Sequence, residues 1–233
     1  MRITLFVLGG LALLLVAYWG IKFFMTVQVS KRIINSTVAY EKAGEGENSV
    51  LVLGDSTAVG IGADRPEESV AGRVSTFLQA DRVENYAVSG AVTSDLNTQR
   101  KNATLSSYGL ILIQIGGNDI IRFKPAEDAG EELRAAIQNL PDAQKVVIIS
   151  AGDVGGATLF PWPVRPFHTR LNNEYHETFA RIAKEEGVTY VNFGNSPATK
   201  IINEKPEIYL AADGLHPSSE GYRLWFEEIQ SSL

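Results

Sequence analysis

The sequence contains no cysteine. That excludes disulfides, a cysteine nucleophile and thiolate metal sites. It leaves the compartment open, because a serine enzyme without disulfides works in oxidising or reducing surroundings. No internal repeat or low-complexity tract is present, and no metal-ligand spacing stands out. Gly60 and Gly62 lack the spacing of a dinucleotide fingerprint. Bases are few beyond the start of the chain. The first 43 residues carry Arg2, Lys22, Lys31, Arg32 and Lys42 against Glu41 alone, which leaves 16 bases and 26 acids in residues 44–233. So acidic a domain argues against a nucleic-acid partner, since phosphate binding needs clustered Lys and Arg.

Charge is missing altogether from Ile3 to Ile21, ITLFVLGGLALLLVAYWGI. Nineteen residues at ~1.5 Å rise span about 28 Å, close to the hydrocarbon thickness of a bilayer. Tyr18 and Trp19 suit the interface, and Lys22 can snorkel to the head groups. A cleaved signal peptide is the competing reading, but its apolar region is usually ~7–15 residues, and no small-x-small site precedes Lys22. Residues 3–21 are therefore expected to anchor the chain in a membrane. Residues 1–43 form anchor and stalk, the polar run 41–48 a linker, and residues 44–233 one domain; the whole chain's 45% hydrophobic content is that of a globular protein.

Within the domain, short apolar runs alternate with helical patterns. SVLVLG (49–54), 83–88, LILIQIG (110–116), KVVIISA (145–151) and VTYVNF (188–193) read as strands, most of them apolar throughout, as for strands buried on both faces. Helices are expected near 66–80, with Val70, Val74, Phe77 and Leu78 inward, from Pro125 to Pro141, over 166–186, and around Tyr222, Trp225, Phe226 and Ile229. The pattern predicts a flavodoxin-like three-layer α/β/α fold with a central parallel sheet behind one transmembrane helix. In such sheets ligands bind beyond the carboxyl ends of the strands.

Three groups of residues fall at those ends. Gly54-Asp55-Ser56 follows the first strand, where a tight turn presents a serine hydroxyl outward; a plain helix cap has the same residues. Gly116-Gly117-Asn118-Asp119 follows the third, and Asn118 can offer its NH₂ to a developing oxyanion or simply end the strand in an Asx turn. Asp213 stands three residues before His216, a spacing at which the carboxylate can hold Nδ1 and free Nε2 as a base. Each is weak alone. His168 and His176, with Glu174 and Glu177 beside them, read as a solvated helix face. The loop 152–166, GDVGGATLFPWPVRP, carries Leu159, Phe160 and Trp162, and Phe160 and Trp162 are candidates for an apolar substrate wall.

Together with Asn-Tyr-Ala-Val-Ser-Gly at 85–90, the three groups form four ordered blocks, and the sequence resembles the GDSL/SGNH hydrolase family across residues 50–217. The resemblance implies a serine esterase without cofactor or metal. Ser56 would be the nucleophile, His216 the base and Asp213 its support, and the Ser56 amide, Gly90 amide and Asn118 side chain would form the oxyanion hole. Thr57 stands where the namesake motif has leucine, a position that does no chemistry. The expected substrate is a small-molecule or lipid ester. Acyl transfer to, or deacetylation of, a surface glycan or lipid, and an inactive membrane-tethered binding module, remain as alternatives. The basic residues after the span favour a cytoplasmic domain, whereas the short N-terminal arm and the secreted esterases of the family favour export, which is the expectation adopted.

Overall fold

The computed structural model describes residues 2–233. Met1 and the side chains of residues 2–8, 11 and 12 fall outside that description, and so does their share of the expected 3–21 span. In chain order the elements are α1 (Arg2–Ser36), β1 (Ser49–Gly54), α2 (Ser56–Val59), α3 (Val70–Leu78), β2 (Arg82–Asn85), α4 (Leu96–Gln99), β3 (Ser107–Ile115), α5 (Gly117–Ile121), α6 (Ala126–Ile137), β4 (Asp142–Ser150), α7 (Arg165–Glu185), β5 (Thr189–Val191), α8 (Pro197–Glu204), α9 (Pro206–Tyr209) and α10 (Ser219–Ile229). All five strands are parallel, in the order β2-β1-β3-β4-β5. That is the flavodoxin-like order, and the direction of winding reverses between β1 and β3.

Alternation along the strands builds two cores. Leu51, Leu53, Ile111, Ile113 and Ile148 face α6 and α7, where Leu133, Tyr175, Phe179 and Ile182 meet them. Val50, Val52, Leu110, Leu112, Val147 and Ile149 face the other way, onto Val70 and Val74 of α3 and Tyr222, Trp225 and Ile229 of α10. A strand buried on both faces has no polar side to show, which is why these runs are apolar throughout.

Several expected boundaries move, each for a local reason. The helix expected from Pro66 is only a 3₁₀ turn there, and α3 starts after Ser69, whose hydroxyl caps it by accepting from the Gly72 amide at 3.1 Å. Phe77, expected inward, is 45% exposed and meets Phe226 edge to face. The strand expected over 83–88 ends at Asn85, whose side chain accepts from the Ala87 amide at 3.1 Å and turns the chain away. The strand over 188–193 pairs only from Thr189 to Val191, and the Phe193 amide donates instead to Ser150 Oγ at 2.9 Å. Helices α8 and α9 were not expected.

The largest difference lies at the start. Helix α1 does not stop at Lys22 but runs to Ser36, since nothing between the two breaks a helix. Leu13–Ser36 is long and apolar enough to cross a membrane, with mean hydropathy 1.5 and none of it buried in the domain. Lys22 sits 5.1 Å from the centre of the Trp19 ring, a cation–π contact. The 41–48 segment lies against the domain. Lys42 bridges to Val83, its ammonium donates to the Ala80 carbonyl at 2.6 Å, and Tyr40 OH lies 3.3 Å from Ser75 Oγ.

Candidate active site

Ser56 opens α2 straight after β1, beside the point where the winding reverses. The turn depends on Gly54, whose φ is +143° and whose added Cβ would fall 1.9 Å from the Gln114 carbonyl oxygen. Only glycine fits there. Gln99 clamps the same residue from α4: its Oε1 accepts from the Gly54 amide and its Nε2 donates to the Gly54 carbonyl, each at 2.8 Å. Asp55 caps the next turn by accepting from the Thr57 amide at 2.9 Å and the Thr57 hydroxyl at 2.8 Å. Thr57 therefore contributes a second bond to that cap, which the family's leucine cannot make.

His216 reaches Ser56 from the loop before α10. Its Nε2 lies 2.9 Å from Ser56 Oγ, and its Nδ1 lies 2.6 Å from Asp213 Oδ2. An ionised carboxylate only accepts, so Nδ1 carries the proton and Nε2 accepts from the serine hydroxyl. The other oxygen, Asp213 Oδ1, accepts from the Leu215 and His216 amides, both at 3.1 Å. The loop itself is closed by a Leu210–Pro217 bridge. Ser56, Asp213 and His216 are all buried.

Two buried carboxyls next to this chain titrate in opposite directions. Burial alone would raise Asp213, but the hydrogen bond and charge of His216, with the two amides, outweigh it and hold the group at about 2. Burial raises Asp55 to about 6, more than its bonds to Thr57 lower it. A carboxyl raised in the folded state destabilises the fold as it ionises. That penalty is absent below the ordinary 3.8 and complete above about 6. Asp55→Asn keeps an oxygen for the Thr57 amide and never ionises. Its stability relative to wild type is expected to rise by about 2 kcal/mol between pH 4 and pH 7, measured by denaturant unfolding across that range.

Gly90 and Asn118 border the same cavity as Ser56 and His216, a space of about 210 Å³. The Asn118 amide donates one hydrogen to the Ala91 carbonyl at 3.0 Å, which fixes the side chain's orientation and leaves its second N–H. Asp119, fully buried, accepts from the Thr93 amide at 2.9 Å and the Thr93 hydroxyl at 3.0 Å, tying the two loops together. Among the described residues no group of three or more His, Asp or Glu is placed to hold a metal ion.

Other expected positions are corrected. His168 and His176 are not solvated: they are buried on the inner stripe of α7, while Glu174 and Glu177 are exposed. His168 stacks on Phe123 and meets Phe160 at a tilt, with ring centres at 4.9 and 4.5 Å. His176 pairs with Asn172 Nδ2 at 2.6 Å and Tyr190 OH at 2.8 Å, and burial pushes it down to about 4. It also needs Gly194, where a Cβ would fall 1.8 Å from Nε2. Phe160 and Trp162 do not border the cavity. Phe160 packs into the core and Trp162 is 74% exposed, while Val154 and Ala157 of the same loop take the lining positions. Gln99 went unseen, since its partner is 45 residues away.

No curated protein sequence matches the chain. Solved structures do match in fold. A lipolytic G-D-S-L family protein from Veillonella parvula has a TM-score of 0.60 at 17% identity, covering 78% of this chain and 96% of its own. A catalytic mutant of an acetylxylan esterase from Geobacillus stearothermophilus has 0.59 at 19%, covering 82% and 95%. An extracellular lipase from Streptomyces rimosus has 0.56 at 18%, covering 80% and 100%. Identities this low carry the fold alone. A sequence model of one family matches residues 52–224, a span that takes in Ser56, Gly90, Asn118, Asp213 and His216. On that match the chain belongs to the GDSL-like Lipase/Acylhydrolase family.

Proposed function

We propose that this protein hydrolyses carboxylic esters through a covalent acyl-enzyme formed on Ser56. The observation that carries the reading is the unbroken chain from Ser56 Oγ through His216 to Asp213, opening onto a cavity. Ser56 Oγ attacks the ester carbonyl carbon while Nε2 of His216 takes its proton. The tetrahedral oxyanion is held by the Ser56 and Gly90 amides and the free N–H of Asn118. As the C–O bond breaks, Nε2 returns the proton to the departing alkoxide and the alcohol leaves. Water then attacks the acyl-enzyme, giving its proton to Nε2, and collapse releases the carboxylic acid and restores the serine. Asp213 holds Nδ1–H throughout and offsets the positive charge on the ring.

A fluorophosphonate probe tests this directly. It labels Ser56 in the full chain, and peptide mapping finds the adduct on that residue; a folded protein that resists labelling would make it a binding module instead. Products measured with and without an added alcohol separate hydrolysis from acyl transfer. The oxyanion role gives a graded result: Asn118→Ala is expected to lower kcat about 10²- to 10³-fold with little change in KM, because the donor acts on charge that appears only in the transition state.

The same reading takes residues 1–43 as anchor and stalk, residues 44–233 as the hydrolase domain, and α1 as a membrane anchor with the domain exported. Protease protection of the domain in intact cells, set against permeabilised ones, reports the side.

A further inference from the structure

The cavity beside Ser56 is not closed by the α/β domain alone. Ser30 and Ile34 of α1 border it, together with Ala157, Ile202 and Leu215. They stand four residues apart and so share one face of the helix. A second cavity, next to the first, places the end of the same helix against the loops that carry Ser56 and His216: Ile33 and Ser36 border it with Gly60, Gly62, Ala211 and Ser218. Exposure along α1 agrees. Its apolar side chains are open from Leu13 to Met25, Trp19 apart, and become partly covered from Thr26 to Ser30 and at Ile33 and Ile34. Helix α1 is thus seated on the carboxyl rim of the sheet, where the chemistry lies.

We propose that the last turns of α1 are part of the substrate site, with Ile34 and Ser30 forming the outer wall of the acyl pocket and setting which acyl chain reaches Ser56. The inference rests on the ester-hydrolase reading and adds a specificity element outside the family's four blocks. The cavity of about 210 Å³ is smaller than the ~300–1,000 Å³ of most ligand pockets, so a chain longer than a few carbons must leave it. Val27 and Phe23 continue the stripe of Ile34 and Ser30 along α1 and give such a chain an apolar path. The rest of the rim agrees in character. Val88, Phe123, Trp162 and Phe167, on the segments after β2, β3 and β4, are exposed hydrophobic residues at the same end. The fitting substrate class is an ester of a medium or long linear acyl chain, discriminated by contacts that α1 supplies.

The test uses the full chain in detergent micelles and p-nitrophenyl esters from acetate to palmitate. The readout is the ratio of kcat/KM for octanoate to that for acetate, from which any unfolded fraction cancels. Ile34→Trp and Ser30→Trp narrow the outlet and are expected to lower the ratio about tenfold, the effect of roughly one or two methylenes of lost pocket. Ile34→Ala widens the outlet and is expected to move the preferred chain to a longer acyl group. Ratios and optimum unchanged in all three variants would overturn the proposal. Ser56→Ala, assayed alongside on acetate, keeps the two readings apart: if it hydrolyses acetate like wild type, the ester-hydrolase reading falls and takes the wall with it. If acetate turnover depends on Ser56 and the profile ignores Ile34, the wall alone falls.

Discussion

On the proposed mechanism, replacing Ser56 with alanine is expected to lower the kcat of ester hydrolysis about 10⁶-fold, the scale set by losing the nucleophile from a serine triad. Any residual rate would come from binding and from the proposed oxyanion donors, which the substitution leaves in place. Structure should be preserved, because Ser56 makes no cap of its own. The turn is held by Gly54, Gln99 and the Asp55 side chain, and Gly60 and Ile61 bond to the Ser56 main-chain oxygen. The check is steady-state hydrolysis of a p-nitrophenyl ester with the thermal midpoint measured on the same preparation. A variant equal to wild type in both would remove Ser56 from the reaction; one that lost its fold would leave the question to the fluorophosphonate adduct.

The second large effect is Asp213→Asn, expected to lower kcat about 10⁴-fold. The local hydrogen bonds explain why so small a change is severe. Oδ1 of Asp213 already accepts from two backbone amides. Asparagine must keep its oxygen there, which turns its NH₂ toward Nδ1 of His216. A donor facing Nδ1 strips that nitrogen of its proton and moves the proton to Nε2, where it faces Ser56 Oγ and can no longer accept. The substitution therefore sets the wrong tautomer without displacing the ring. The signature is a fall in kcat with little change in KM, together with imidazole ¹⁵N shifts that report the proton on Nε2. Wild-type turnover in the variant would detach Asp213 from the mechanism.

How much of this was legible in the sequence depends on how local each signal is. Strands β1, β3 and β4 were plain because burial on both faces writes itself as an unbroken apolar run. Ser56, Gly90, Asn118, Asp213 and His216 stood out as candidates because each sits in a short block whose neighbours make its turn. His168 and His176 were misread by weighing residue type above spacing. They fall with Asn172, Tyr175, Phe179 and Ala183 on one helical stripe, and that periodicity marks the buried face. The roles of Phe160 and Trp162 were beyond reach, since loop packing has no period. Gln99 illustrates the same limit: a polar side chain on a short helix shows nothing of its two bonds to Gly54 until the fold brings them together. Ser30 and Ile34 lay in a stretch read as stalk, and only the seating of α1 on the rim brings them to the cavity.

The continuous course of α1 has a consequence of its own. A helix is a ruler as well as a tether. If residues 3–21 span the bilayer, the nine steps from Ile21 to Ser30 would lift the wall of the cavity only about 13 Å above the hydrophobic boundary. A flexible leash would let the domain sample a wide volume of solution. A stiff rod would hold Ser56 at one height, so that its encounters would be confined to a thin layer and turnover on it would follow the density of esters in the membrane plane more closely than their amount in bulk solvent.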